Sequence, residues 1–173
     1  MSERPQIRLA TPSDADDLAA LWIEFGRYYA ERDAAWYRVP EEEGLSDWFR
    51  DALARDREDD DVIWLVADEG GRVVGSIQAR IWRPFPDAER QLVREVGEVV
   101  LKVDSLVVTQ LERRRGVGRE LMSAIEDWAV KRGASQAVVI SVADSPTSVP
   151  FYESGMGYRR KTIGFWKELP NDS

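Results

Sequence analysis

The chain contains neither cysteine nor histidine. No disulfide, thiolate-bound metal or cysteine nucleophile can form, and no imidazole is present to act as a base, a nucleophile or a metal ligand. An acid or base in this chain must therefore be a carboxylate, a tyrosine, a lysine or water. The sequence also lacks an apolar run of membrane-spanning length and an apolar leader at its N-terminus, and we therefore expect a cytoplasmic protein with no membrane partner.

Positive charge is scarce, with 24 lysines and arginines against 32 acidic residues and a formal net charge of −8. A negative surface repels polyanions, which argues against a nucleic-acid partner and favours a cationic ligand. The densest exception is Arg113 to Arg115, with Arg119 close behind. The length of 173 residues predicts a single domain, residues 1–173.

Hydrophobic periodicity predicts the elements of the first hundred residues. Helices are expected over 14–29 and 41–54, and two strands over 61–67 and 73–82 form a hairpin around Gly70-Gly71. An aromatic segment, residues 28–37, could wall a pocket or form a satellite core. A long strand begins at Gly97, and simple alternation places Val99, Leu101, Val103, Ser105 and Val107 on its core face.

The C-terminal third predicts a further buried strand over 137–142, parallel to the long strand if the helix between them is a crossover. A loop over 144–148 and a short helix over 150–154 follow. The apolar residues of 158–169 predict one or two closing strands.

Residues 103–133 carry the clearest functional pattern: an aliphatic strand, a basic glycine loop and an amphipathic helix. The first amides of a helix lack intrahelical partners, and a loop with Gly116 and Gly118 leaves them open to an anion. An ordinary turn with a solvated charge run is the alternative. A dinucleotide fingerprint would need glycine at Leu121, and the Gly-Lys-Ser/Thr of a P-loop occurs nowhere.

Three short motifs occur in order along the chain. Ile7-Arg8 precedes Ala-Thr-Pro-Ser-Asp at 10–14, Arg113-Arg114-Arg115-Gly116-Val117-Gly118 follows a Leu-Val-Val strand end, and Phe151-Tyr152-Glu153 is followed by Gly157-Tyr158. Together they resemble the GNAT superfamily of acyl-CoA-dependent N-acyltransferases over nearly the whole chain. The resemblance implies an α/β (α+β) fold with a mixed, mostly antiparallel sheet of about six to seven strands. It further implies helices on both faces and splayed fourth and fifth strands.

The same resemblance implies a site for acetyl-CoA as cosubstrate, without a metal. The pantetheine arm would pair with the backbone of Leu106, Val107 and Val108. The pyrophosphate would be held by the loop and first helical turn, which comprise Arg113, Arg114, Arg115, Gly116, Val117, Gly118 and Arg119. Ser145 stands where the family often places an asparagine that contacts the cofactor. A homodimer is the assembly that the resemblance suggests.

For the chemistry, the resemblance implies direct acetyl transfer to a primary amine of a small molecule or peptide. Tyr152 would protonate the leaving thiolate, although the chain has one more residue between Tyr152 and Gly157 than the commonest family spacing. Asp104 is the first candidate for the base and Glu98 the second, each acting through water. The alternatives are a catalytically idle acyl-CoA-binding or regulatory module and a nucleotide-binding protein that uses the same loop.

Overall fold

A five-stranded sheet forms the centre of the larger part of the molecule. The structure is a computed structural model that describes residues 4–167. The strands are β1 (Gln6–Leu9), β2 (Val62–Glu69), β3 (Arg72–Trp82), β4 (Val100–Val108) and β5 (Gln136–Val139), in that spatial order. All neighbours pair antiparallel except β4 and β5, which are parallel. The mixed, mostly antiparallel sheet is therefore confirmed.

Two compact units divide the chain, the first ending at Val139 and the second beginning at Ile140. The first contains the sheet with α1 (Ala15–Ala30), α2 (Leu45–Asp56) and α3 (Val117–Val130). The second contains α4 (Ser148–Pro150), which continues into a π-helical turn, Phe151–Gly155.

Within residues 4–167, none of the helices combines the length and the apolar character that a membrane span requires.

Several boundaries differ from those expected from the sequence. α2 begins four residues late because Gly44 precedes it with a left-handed φ of 75°, which no helix interior accommodates. β5 ends at Val139 rather than at residue 142. Residues 158–167 form no strand, and the remainder of the predicted closing strands, including Leu169, lies outside the described residues. The described sheet accordingly has five strands instead of six or seven, since apolar alternation produces a strand only where another strand pairs with it.

Helices cover both faces of the sheet, as predicted. On one face, residues of α1 and α2 share a core with strand residues Trp64, Val66 and Val107. On the other face, α3 lies over β3 with Leu121, Met122 and Ile125 fully buried. Burial of each such side chain stabilises the fold by roughly 1.5–3 kcal/mol.

Gly75 of β3 sets how closely α3 approaches the sheet. A Cβ at this position would lie 3.1 Å from the carbonyl oxygen of Val107, 3.2 Å from Cγ1 of Val117 and 3.3 Å from Cδ1 of Leu121. The absence of a side chain thus lets the first turn of α3 rest directly on β3.

A β-bulge interrupts the pairing of β3 with β4. Ala79 pairs with Val103 and Gln78 pairs with Ser105, so Asp104 has no partner of its own. The extra residue reverses the alternation, and Ser105 and Val107 face α1 while Val103 lies on the α3 face. The expectation that these three side chains share one face was wrong for this reason.

Arg8 joins the first strand to the first helix. Its guanidinium donates to Asp14 at 2.7 and 2.8 Å and to Asp68 of β2 at 2.9 Å. The backbone N–H of Thr11 also donates to Asp14, at 2.7 Å. This cluster fixes the start of α1 against the edge of the sheet, and the Arg8 hydrogen bond holds the pKa of Asp14 below its usual value.

Candidate functional site

The loop between β4 and α3 has the backbone shape of an anion-binding site. Arg114 takes a left-handed φ of 64°, and Gly116 follows with a φ of 93° immediately before the helix. Glu120 donates the first intrahelical hydrogen bond, to the carbonyl of Gly116 at 3.0 Å. The amides of Val117, Gly118 and Arg119 thus precede that first bond, and the helix dipole adds partial positive charge around them.

The left-handed Arg114 is a departure from ordinary backbone geometry. A non-glycine residue in this region costs about 1–3 kcal/mol, and such residues concentrate at ligand-binding loops. Arg114 and Arg119 are exposed, and neither forms an ion pair within residues 4–167. Both side chains are therefore available to an anionic ligand at the helix start.

The other two arginines of the cluster are held by the protein. Arg113 donates from Nε to the carbonyl of Val108 at 3.1 Å. Arg115 forms an ion pair at 2.6 Å with Glu112, a carboxylate that is almost fully buried. These contacts tie Arg113 to the end of β4 and Arg115 to the turn that follows the strand, and they leave the middle of the loop exposed.

The last part of β4 has an open edge on the side of β5. The two strands pair only from Val100 to Val103 on β4, and this pairing ends at the residue before the bulge. Thr109 donates its N–H to the carbonyl of Val74 in β3 at 3.0 Å. Because backbone groups alternate along a strand, Val107 also points towards β3, whereas Leu106 and Val108 point to the open edge.

This arrangement separates the three residues predicted to contact a pantetheine arm. Leu106 offers both its N–H and its C=O at the open edge, where it has no strand partner among the described residues. Val108 offers its N–H, because its carbonyl accepts from Arg113. Val107 is the least suited of the three, since its backbone groups face β3.

Helix α1 contacts the start of the loop through Glu24, which the sequence did not single out, and through Tyr28, the first residue of the aromatic segment 28–37. Glu24 accepts hydrogen bonds from Oγ1 of Thr109 at 2.8 Å and from the N–H of Gln110 at 2.6 Å. The ring of Tyr28 lies 4.4 Å from the guanidinium carbon of Arg113. These partners are about 85 residues apart in sequence, so no local pattern could reveal them.

Asp104, the bulge residue, is held between two cations. Its oxygens accept from Nε of Arg80 at 2.5 Å and from Nζ of Lys102 at 2.7 Å, and its side chain is 15% exposed. Each oxygen retains a second lone pair that can accept a further hydrogen bond. Glu98 is exposed, accepts from Oγ of Ser135 at 2.8 Å, and lies two residues before β4 begins.

The second unit contains Tyr152 and Ser145. Tyr152 lies in the π-helical turn, and its ring contacts those of Phe151 and Tyr158 at 5.1 and 5.8 Å. Gly157, with a φ of 76°, ends the turn, and the N–H of Tyr158 donates to the carbonyl of Tyr152 at 2.9 Å. A π-turn holds one residue more than an α-turn, which accounts for the extra residue between Tyr152 and Gly157.

Ser145 is buried and has a structural partner. Its Oγ accepts from the N–H of Ser148 at 3.1 Å, at the start of α4. The same oxygen lies 3.4 Å from Oγ1 of Thr147, and either hydroxyl can be the donor in this pair. A contact from Ser145 to a cofactor stays a prediction, as do the assignments of Tyr152, Asp104 and Glu98.

The family comparison matches most of the chain. The model of the acetyltransferase (GNAT) family matches residues 20–158, from within α1 to the residue after Gly157. This range includes β4, the arginine and glycine loop, α3 and the Phe-Tyr motif. No curated protein sequence matches the chain.

Several solved structures share the fold. A transcriptional regulator from Bacillus halodurans is 19% identical with a TM-score of 0.73, and the match covers 95% of this chain and 99% of that one. A Trypanosoma brucei acetyltransferase is 21% identical with a TM-score of 0.66, at 95% and 99% coverage. AAC(6')-Iy, solved with a bisubstrate analogue of CoA and acetylneamine, is 15% identical with a TM-score of 0.67, at 97% and 100% coverage. Identities this low bear on the fold alone.

Proposed function

The chain belongs to the GNAT acetyltransferase family, and from that premise we propose that it transfers an acetyl group from acetyl-CoA to a primary amine of a small molecule or peptide. The observation that carries the proposal is the β4–α3 connection. There an open strand edge leads into a loop with left-handed Arg114 and Gly116 and then into helix amides that have no intrahelical partner. A long ligand with an amide-containing arm and a pyrophosphate matches these groups in that order.

The donor would be held by groups of two kinds. Leu106 and Val108 offer backbone hydrogen bonds to the amides of pantetheine, as a further strand would. The amides of Val117, Gly118 and Arg119, with the side chains of Arg114 and Arg119, offer donors to the pyrophosphate. We assign Ser145 a supporting contact through its hydroxyl group.

Acetyl-CoA supplies the acyl group as an activated thioester. The amine nitrogen attacks the thioester carbon, the C–N bond forms, and the C–S bond breaks. We assign Asp104 to accept a proton from the amine through water, and Tyr152 to donate its hydroxyl proton to the departing thiolate. The absence of cysteine and histidine favours this direct transfer over a covalent acyl-enzyme.

Between the two candidate bases, the geometry favours Asp104. It lies at the bulge, one residue after the pairing with β5 ends, whereas Glu98 lies before β4 begins. The cationic pair Arg80 and Lys102 holds the carboxylate in one orientation. An amine acceptor that carries further positive charge also suits a chain of net charge −8.

Thiol release from acetyl-CoA, measured with a broad panel of primary amines, tests the activity. The wild type is expected to turn over at least one amine. Tyr152→Phe is expected to lower kcat by about 10²-fold or more, as removal of a general acid does, while the dissociation constant for CoA stays unchanged. Tight binding of acetyl-CoA without thiol release on any amine would instead favour an idle acyl-CoA-binding module. Equal competition of CoA and ATP would favour a nucleotide-binding protein.

A further inference from the structure

The face of the sheet on which α1 and α2 pack continues beyond α2 as an open surface of β3 and β4. Helix α2 ends at Asp56, whose carboxylate accepts from Nε2 of Gln78 in β3 at 3.3 Å. Side chains alternate along a strand, so Arg80 and Trp82 follow Gln78 on this face. The side chain of Arg80 is 42% exposed, and Trp82 is 46% exposed. The sheet therefore offers an accessible surface beside Asp104, the candidate base.

Three charged side chains and one indole ring form this surface. Arg80 and Lys102 are cross-strand partners on β3 and β4, and both contact the carboxylate of Asp104. Nζ of Lys102 also lies 5.2 Å from the centroid of the Trp82 ring, so the ammonium group is held by the carboxylate and by the ring. We refer to Arg80, Trp82, Lys102 and Asp104 as the β3–β4 patch.

The β3–β4 patch has one positive charge more than its carboxylate balances, since an arginine and a lysine share a single aspartate. Two further carboxylates beside this part of β3 have cations of their own. Asp56 pairs with Arg55 at 3.0 Å. Asp61 accepts from Nε of Arg83 at 2.9 Å. The excess therefore remains in a chain whose net charge is −8, and a bound group with one negative charge would offset it.

Arg80 has the donors that such a group needs. A guanidinium carries several N–H donors, and Arg80 donates only from Nε to Asp104. Within the described part of the chain, its two terminal nitrogens have no hydrogen-bond partner. These two nitrogens form the planar fork that binds a carboxylate through paired hydrogen bonds.

We propose that the acceptor is an amine that also carries a carboxylate, a free amino acid, and that Arg80 determines this specificity by binding the carboxylate. The choice rests on the proposed function. Because Arg80 and Asp104 are in contact, an amine that reacts beside Asp104 and a carboxylate bound by Arg80 lie only a few bonds apart, as they do in an amino acid. The amine of a peptide N-terminus has no carboxylate so close to it, and a phosphate ester would bring about two negative charges instead of one. The Trp82 ring offers an apolar surface to the carbon atoms of the ligand. An amino acid with a basic side chain would suit both the patch and the net charge of the chain.

Thiol release from acetyl-CoA, compared between the protein amino acids and their amides, tests this specificity. An amide keeps the amine and the side chain of its amino acid but lacks the negative charge. We expect the wild type to have a higher kcat/KM for at least one amino acid than for its amide. Arg80→Gln should lower the ratio of these two kcat/KM values at least tenfold, whereas Arg72→Gln, at the exposed start of the same strand, should keep the wild-type ratio. A role of Arg80 in orienting Asp104 alone would lower both values alike, so an unchanged ratio in Arg80→Gln would overturn the proposal.

A second variant covers the case in which Arg80→Gln does not fold. Arg80→Lys keeps a cation beside Asp104 but loses the planar fork, so its ratio should also fall below that of the wild type, and a wild-type ratio would count against the fork as the carboxylate site.

The melting temperature separates this proposal from the proposed function. If no amine releases thiol, the proposed function fails, and the melting temperature is measured with each amino acid and its amide at constant ionic strength. A larger rise with an amino acid than with its amide in the wild type, absent in Arg80→Gln, would support the carboxylate site. Equal rises would overturn the site as well. Thiol release only with amines that lack a carboxylate would support the proposed function and overturn this choice of acceptor.

Discussion

Gly75→Ala is the sharpest test of how the sheet positions the start of α3. The new Cβ would meet the carbonyl oxygen of Val107 and the side chains of Val117 and Leu121 at 3.1–3.3 Å. None of these atoms is the end of a long flexible side chain, and Val117 is the first residue of α3. The substitution therefore pushes against the helix turn whose amides form the candidate anion site.

The expected magnitude follows from two opposing effects. Overpacking of a filled core costs about 1–3 kcal/mol. Loss of the conformational freedom of glycine in the unfolded chain offsets about 0.4–1 kcal/mol of that. We expect a net loss of about 1–2 kcal/mol, which for a chain of this size lowers Tm by roughly 2–8 °C.

Differential scanning calorimetry, with and without CoA, measures both consequences of Gly75→Ala. The control is Gly97→Ala, where the nearest atom to the new Cβ is that of Ala88 at an ordinary 3.4 Å. We expect Tm to fall for Gly75→Ala alone, and the stabilisation by CoA to shrink because the first turn of α3 has shifted. A Tm for Gly75→Ala at or above that of the control would refute the close packing of α3 on β3.

Three further predictions test other parts of the structure. Gly118→Glu should weaken CoA binding at least tenfold by calorimetry, because it places a carboxylate at the start of α3. The control Ser123→Glu, at an exposed position on the same helix, should leave the affinity unchanged. Equal affinities of the two variants would contradict the placement of the CoA pyrophosphate at the start of α3. Asp104→Asn should lower kcat by about 10²-fold or more without changing the KM for acetyl-CoA, and an unchanged kcat would exclude it as the base. The pKa of Asp14 is lowered in the folded state, so the ionised carboxylate of Asp14 stabilises the fold. This contribution to the free energy of unfolding is complete above about pH 4 and is lost at lower pH. Urea unfolding should therefore show Arg8→Gln about 1–2 kcal/mol less stable than wild type at pH 7. The difference in the free energy of unfolding between the two proteins should become smaller below pH 4. A difference that does not change with pH would contradict the role given to the Asp14 carboxylate.

Local patterns were sufficient for much of the fold. The periodicity of α1, the Gly70-Gly71 turn and the run from β4 into α3 each depend on neighbouring residues, and the structure has these elements where the sequence predicted them. The bulge could not be read from the sequence, because aliphatic residues occur on both faces of β4 on either side of it. Residues 158–167 were misjudged for a related reason, since their apolar pattern says nothing about the presence of a pairing strand.

The candidate site divides in the same way. The arginine and glycine loop was visible because its residues are adjacent in sequence. The contacts from Glu24 to Thr109 and from Tyr28 to Arg113 were not, since they depend on where α1 crosses the sheet.

The bulge in β4 also has a consequence for how such a strand can arise. The pairs on either side of Asp104, Ala79 with Val103 and Gln78 with Ser105, are the ones an uninterrupted ladder would contain. Removal of this one residue therefore leaves every other cross-strand partner, and the face of every other side chain, as it is. In genetic terms a single codon separates a bulged strand from a regular one, while the edge beyond Val103 stays open because β5 ends at Val139. Gain or loss of the bulge is then a one-step change that the pairing of β3 with β4 does not oppose.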